Sequence, residues 1–188
     1  MSYKEPLATN TDFGIMKVGT NLTVIDGTVS ATGGLPNDSY YAKFFSDANQ
    51  TNTAINTALD MSFPNTTLNN GITTAGTVVT FANAGVYTIT YETQAGITSG
   101  GGGDIDIWVI VDGVILPNSN AITTIPGGGN NLIINRSFLV NLTAGQTMGI
   151  QWSSAVANMQ LTALGTQVGP IRPATNSANF LATLVKAL

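Results

Sequence analysis

Apolar and polar positions alternate along most of this chain with the period of a β-strand. Nine segments carry the pattern: 40–46, 77–81, 86–93, 105–111, 114–116, 132–142, 147–153, 159–164 and 180–188. They recur roughly every 8–15 residues, with Gly, Asn or Pro between them. In 105–111 the row Ile105, Ile107, Val109, Val111 alternates with Asp106, Trp108 and Ile110, so the first row faces a core and the second faces away. Helical periodicity is nearly absent. Ile55 and Leu59 stand four apart within 47–60, but the Thr and Asn residues around them favour turns and strands over helix. Short β-segments without intervening helices predict an all-β sandwich or barrel.

A break falls near Gly33-Gly34-Leu35-Pro36-Asn37-Asp38 and predicts two parts, an arm over 1–36 and a knob over 37–188. The arm is too short to own a core. Its apolar residues Ile15, Leu22, Val24 and Val29 sit among turn formers, and Asp26-Gly27 reads as a hairpin turn. Such a segment needs another surface to pack on, which makes these four residues candidate attachment contacts.

Composition narrows the function. Only 9% of the 188 residues are charged, against about 25% in an ordinary domain. Thr, Asn and Gly take their place, with 27, 19 and 21 residues. Charge-driven disorder and coiled coils are excluded, and six basic residues scattered along the chain make no phosphate-tracking stripe, so nucleic acid is not an expected partner. The chain has no Cys and no His, which removes disulfides, thiol nucleophiles, the usual zinc ligand sets and the commonest general base. With eight Asp and two Glu as the remaining candidates, no enzyme and no cofactor are expected. No secretory leader and no run long enough to cross a membrane as a helix is read, so the six Asn-x-Ser/Thr sequons are expected to stay unmodified.

Three local features invite chemistry. The run Gly100 to Gly103 before Asp104 and Asp106 resembles an anion-cradling loop, but such loops open helices and carry a Lys that is absent here. The two aspartates share one strand face and could contribute oxygens to Ca²⁺. The only carboxylate near them in sequence, Asp112, is committed with Gly113 to a type I′ turn, so the pair is read as a wetted outward face. Glu92 lacks a visible second carboxylate for glycoside hydrolysis, and an ion pair with Arg136 is the plainer expectation. Trp108 and Ile110, side by side on the outward row, are instead expected to be covered by a subunit interface or by the arm. Consecutive aromatics at Tyr40, Tyr41, Phe44 and Phe45 likewise predict a strand covered on both faces.

The stretch Thr77-Val78-Val79-Thr80-Phe81-Ala82-Asn83-Ala84-Gly85-Val86-Tyr87-Thr88-Ile89-Thr90-Tyr91 resembles the strand–turn–strand signature of the globular heads of complement and tumour-necrosis-factor-like proteins. The order continues through Ile105–Val111, Asp112-Gly113, the strand from Arg136 to Leu142, Thr143-Ala144-Gly145-Gln146, and a final strand. Within that family the chain looks most like versions carried by bacteriophages and large viruses. Their knob follows a segment patterned as Gly14, Lys17, Val18, Gly19, Leu22, Val24, Asp26 and Gly27 are here. The resemblance implies a ten-strand jelly roll, a homotrimer, and a receptor-binding or capsid-covering role in a virion. Implied partners are a capsid or tail protein of the same particle and, for a fibre, a host surface glycan or protein. The calcium-binding and receptor loops of animal members have no counterpart here, so no site is carried over from them. The expectation is a capsid decoration protein, with a short fibre or spike as the alternative, made in the host cytoplasm and built into the virion. A carbohydrate-active enzyme is the remaining alternative.

Overall fold

A computed structural model describes residues 22–25, 28–31 and 39–188. The chain divides into two units, Met1–Asp38 and Ser39–Leu188. In the first, β1 (Leu22–Ile25) and β2 (Thr28–Ala31) form an antiparallel hairpin with Val24 opposite Val29 and Leu22 opposite Ala31. Two residues, Asp26 and Gly27, separate the paired ends Ile25 and Thr28, the spacing of a two-residue hairpin loop. Ile15 and the side chains of Leu22, Val24 and Val29 lie outside the described residues, as does the break at 33–38.

The second unit is a jelly-roll sandwich of two antiparallel sheets. The first sheet runs β4 (Gln50–Thr51), β15 (Met159–Leu161), β9 (Gly85–Ile97), β16 (Ala178–Ala187), β3 (Tyr41–Ser46) and β6 (Asn65–Asn70), with β13 (Asn131–Leu142) along the other side of β9. The second runs β11 (Val114–Ile115), β10 (Gly103–Val111), β14 (Thr147–Ser154), β8 (Val78–Phe81) and β7 (Ile72–Ala75), with β12 (Ala121–Ile125) on β10 and β5 (Leu59–Asp60) on β14. No helix occurs among the described residues, so the rejected helix over 47–60 gives way to β4, a turn and β5.

Alternation sets the core. Tyr87, Ile89 and Tyr91 of β9, Phe44 of β3 and Phe180 of β16 meet Ile105, Ile107 and Val109 of β10 and Met148, Ile150 and Trp152 of β14, all buried. Each large apolar side chain so buried contributes about 1.5–3 kcal/mol relative to exposure. Phe81 meets Tyr87 edge to face at 4.9 Å, and the Tyr87 hydroxyl donates to the Asn83 carbonyl at 2.9 Å, which pins the turn between β8 and β9. Aromatics lie on both faces of β3: Phe44 is inside, while Tyr41 and Phe45 stand on the outer face, Tyr41 exposed and Phe45 half-buried.

Two loops at one end of the sandwich explain the glycine runs. The loop 98–102 lies against the loop 126–130, with Gly128 N donating to Gly100 O at 3.1 Å. A Cβ on Gly127 would meet the Gly100 carbonyl and approach Gly102 N to 2.7 Å. The glycines therefore permit backbone-to-backbone packing.

Candidate functional site

Trp108 and Ile110 stand on the outward row of β10, half-buried, while Ile105, Ile107 and Val109 face the core. Trp108 is cross-strand from Gln151, which is in turn opposite Asp60. The indole Nε1 donates to Gln151 Oε1 at 3.0 Å, and Gln151 Nε2 donates to Asp60 Oδ1 at 2.9 Å. Ile110 lies over Gly149, where an added Cβ would come within 3.1 Å of it, so the missing side chain of one strand seats the isoleucine of the next.

Two further isoleucines join this face. Ile115 pairs with Ile110 and is 61% exposed; Ile122 pairs with Asp106 and is 65% exposed. The sequence reading missed both. Ile115 was within reach, because a two-residue turn at Asp112-Gly113 places it opposite Ile110. Ile122 carries no such signal.

The three aspartates of this region do not converge on a metal. Asp104 accepts from Thr124 Oγ1 at 2.6 Å and Asp106 from Asn120 Nδ2 at 2.9 Å. Asp112 and Gly113 both take positive φ, 49° and 77°, as a type I′ turn requires. No group of three His, Cys, Asp or Glu residues able to hold a metal ion occurs among the described residues.

Glu92 and Arg136 correct one expectation. In the β9–β13 register Glu92 pairs with Asn135 and Arg136 with Tyr91, so the two charges point to opposite faces of the sheet and cannot pair. Arg136 turns inward: its guanidinium donates to the Ser119 and Asn120 carbonyls at 3.0 and 2.7 Å and lies 5.0 Å over the Phe138 ring. Beside it the Tyr91 hydroxyl, buried without a hydrogen-bond partner among the described residues, is pushed up to about 12 by burial, while the Arg136 charge pulls the other way. Glu92 faces outward, where Asn179 Nδ2 donates to its Oε1 at 3.2 Å and Asn176 Nδ2 donates to Asn179 Oδ1 at 2.9 Å. These groups border a pocket of about 190 Å³ whose only carboxylate among the described residues is Glu92.

The same outer face carries three exposed apolar side chains set apart among threonines, of which Leu139 and Leu181 were not anticipated. Tyr41 and Leu139 end one row across four strands, with Thr183 and Thr88 between them, and Leu181 sits in the adjoining row. Leu139 is 70% exposed.

No protein-family model matches the chain, and no curated protein matches it by sequence. Solved structures do match. Murine APRIL at pH 8.0 superposes with a TM-score of 0.52 and 11% identity, over 78% of this chain and 99% of that one. The pH 8.5 structure of murine APRIL gives a TM-score of 0.50 and 8% identity over the same shares. The globular domain of zebrafish complement 1qA protein follows with a TM-score of 0.45 and 12% identity, over 80% of this chain and 98% of that one. The APRIL matches establish the tumour-necrosis-factor-like jelly roll that the stretch 77–91 implied. At these identities they speak for the fold alone.

Proposed function

We propose that the chain is a structural protein of a virus particle: a homotrimeric jelly-roll knob on an N-terminal attachment arm, acting as a capsid decoration protein. The observation that carries the self-association is the Trp108–Ile110–Ile115–Ile122 face. Four large apolar side chains adjoin there on the outside of a sheet whose inner row already fills a core. An outward group of this kind, two side chains exposed and two half-buried, marks a surface that another protein covers. Trp108 and Ile110 are the interface residues of this account. Cyclic symmetry asks each copy for two different patches, and the exposed Tyr41, Leu181 and Leu139 on the outer face of the other sheet support a second.

The arm supports attachment. A two-stranded hairpin is at best marginally stable alone, so β1–β2 is suited to adding to a sheet of a shell or tail protein. The viral setting rests on the resemblance of the arm to segments of phage fibre proteins. Nothing described supports a catalytic reading: among the described residues the pocket beside Glu92 brings one carboxylate, where glycoside hydrolysis uses two about 5–10 Å apart. The second reading, a short fibre adsorbing to a host surface, is supported by the amide-rich surface around Asn176 and Asn179.

Imaging particles that carry a label on this chain tests the assignment. Label spread over the shell, in numbers comparable to the shell subunits, supports decoration. Label at a few tail or vertex positions supports the fibre. Label nowhere on purified particles overturns both.

A further inference from the structure

Every residue from Leu164 to Thr175 is exposed, yet the segment is held as a hairpin. Leu164 and Thr175 exchange both backbone hydrogen bonds, as do Gln167 and Arg172, at 2.8 to 3.1 Å. That register sets Val168 opposite Ile171 across Gly169-Pro170, 84% and 82% exposed, with Gln167 and Arg172 on the other face. We propose that in the homotrimer this hairpin is a plug. Its tip seats in the pocket at Glu92 of the next copy, with Arg172 pairing with Glu92 and Ile171 packing on Ile133. The inference rests on the homotrimer reading and adds the contact that sets which surface of one copy meets which surface of the next.

Three features favour a second copy as the occupant. First, plug and socket are complementary. Asn179 Nδ2 holds Glu92 Oε1 at 3.2 Å, and Oε2 is left to an incoming guanidinium. Ile133, 70% exposed, adds an apolar wall on β13. A tip that is apolar on one face and basic on the other matches both walls. Arg172 is the basic residue that the described chain carries at this end. Arg136 is turned inward, Lys186 lies near the far end of β16, and Lys43 lies within β3. The loops 98–102 and 126–130 at the same end offer neither a charge nor a large apolar side chain.

Second, level and reach agree. Thr175 and Asn176 line the pocket, so hairpin and pocket share one end of the sandwich. Rotation about an axis along the strands sets them at the same height in adjacent copies. Each limb spans about 16 Å at roughly 3.3 Å per residue. That is enough to bridge to a neighbour past a sandwich whose sheets lie about 10 Å apart. Third, the pocket continues the proposed contact surface, since Asn179 is two residues from Leu181 on the same outer face. Its volume of about 190 Å³ is below the roughly 300–1,000 Å³ of sites for drug-sized ligands and suits one or two side chains. A plug and an unlike socket on every copy are what a closed head-to-tail ring requires.

The chain has no cysteine, which permits a direct test. Ile133→Cys and Ile171→Cys are placed together in the full-length chain, treated with a short bis-maleimide and read on a denaturing gel. Contacts running round the ring should yield covalent trimer. Either single variant, with one thiol per chain, can give no more than dimer. In parallel, Arg172→Glu and Glu92→Arg should each weaken assembly by about tenfold or more in sedimentation, and the two together should recover most of the loss. All variants should match the native chain in circular dichroism, because none of these side chains belongs to the buried core. A native trimer whose double-cysteine variant cross-links only within one chain, or not at all, would overturn the plug and leave the trimer standing. Charge-swapped chains that assemble no better than the single variants would also overturn it. A native chain that is monomeric at micromolar concentration would overturn the homotrimer reading, and the plug with it.

Discussion

Thr147 donates its backbone N–H to Asp112 Oδ1 at 2.8 Å, so the turn joining β10 to β11 is tied to the first residue of β14. The Thr147 hydroxyl reaches the same oxygen at 3.0 Å, and Gln146 Nε2 reaches Oδ2 at 2.8 Å. These bonds, the backbone one foremost, hold the Asp112 carboxyl below its ordinary value. A depressed carboxylate contributes stability above its unfolded pKa and loses it as pH falls through the folded value. Asp112→Asn keeps the left-handed turn, which Asn tolerates, but removes the charged acceptor. Thermal melts should therefore show the variant less stable than the native chain near neutral pH. The difference should close as the pH is lowered through the acidic range where Asp112 takes up its proton. A gap that persists at low pH would mean the carboxylate's charge is not what matters.

Trp108→Asp should dissociate the assembly while leaving the knob folded, because Trp108 is half-exposed within one chain and its row is opposite the core. Truncating a central interface tryptophan commonly costs about 2–4 kcal/mol, and a buried unpaired charge adds to that. Sedimentation of the native chain should give a trimer at micromolar concentration and of the variant a monomer, with matching far-ultraviolet circular dichroism. Leu139→Asp is the companion measurement. Dissociation by Leu139→Asp but not by Trp108→Asp would move the interface to the other sheet.

Gly127→Ala tests the packing of the two glycine loops. The new Cβ meets backbone rather than a flexible side-chain end, so the loops must part. A loss of about 1–3 kcal/mol in chemical denaturation is expected, the usual cost of overpacking. Gly129→Ala is not a matched control, since Gly129 has a positive φ of 79°. Gly101→Ala is better, because an added Cβ there meets nothing within 4 Å.

Most long strands were legible because their inward rows are large and apolar and their outward rows are not. The segment 105–111 foretold β10 within two residues at its start, and Asp112-Gly113 foretold its hairpin with β11. Where side chains are small or uniformly polar the alternation vanishes. Strand β9 continues past Thr93 to Ile97 through Ala95 and Gly96, and β6, with the sequence NTTLNN, is held by pairing to β3 rather than by burial. The Glu92–Arg136 expectation failed for another reason: the sequence sets which residues alternate within a strand, but only register decides which face meets which across strands. The pocket at Glu92 was illegible on the same ground, since it joins β9, β13, β16 and the loop before β16.

The measurement that bears most directly on the account is co-sedimentation of a chain lacking residues 1–36 with particles stripped of this protein. Among the described residues the buried core runs from Ala42 to Ala182, so the truncated chain should fold, form trimers and melt close to the full-length protein. It should no longer bind the particles, because the Leu22–Ala31 hairpin is the element assigned to docking. Truncated knob that pellets with particles as well as the full-length chain does would contradict the account, and would place the docking surface on the knob itself.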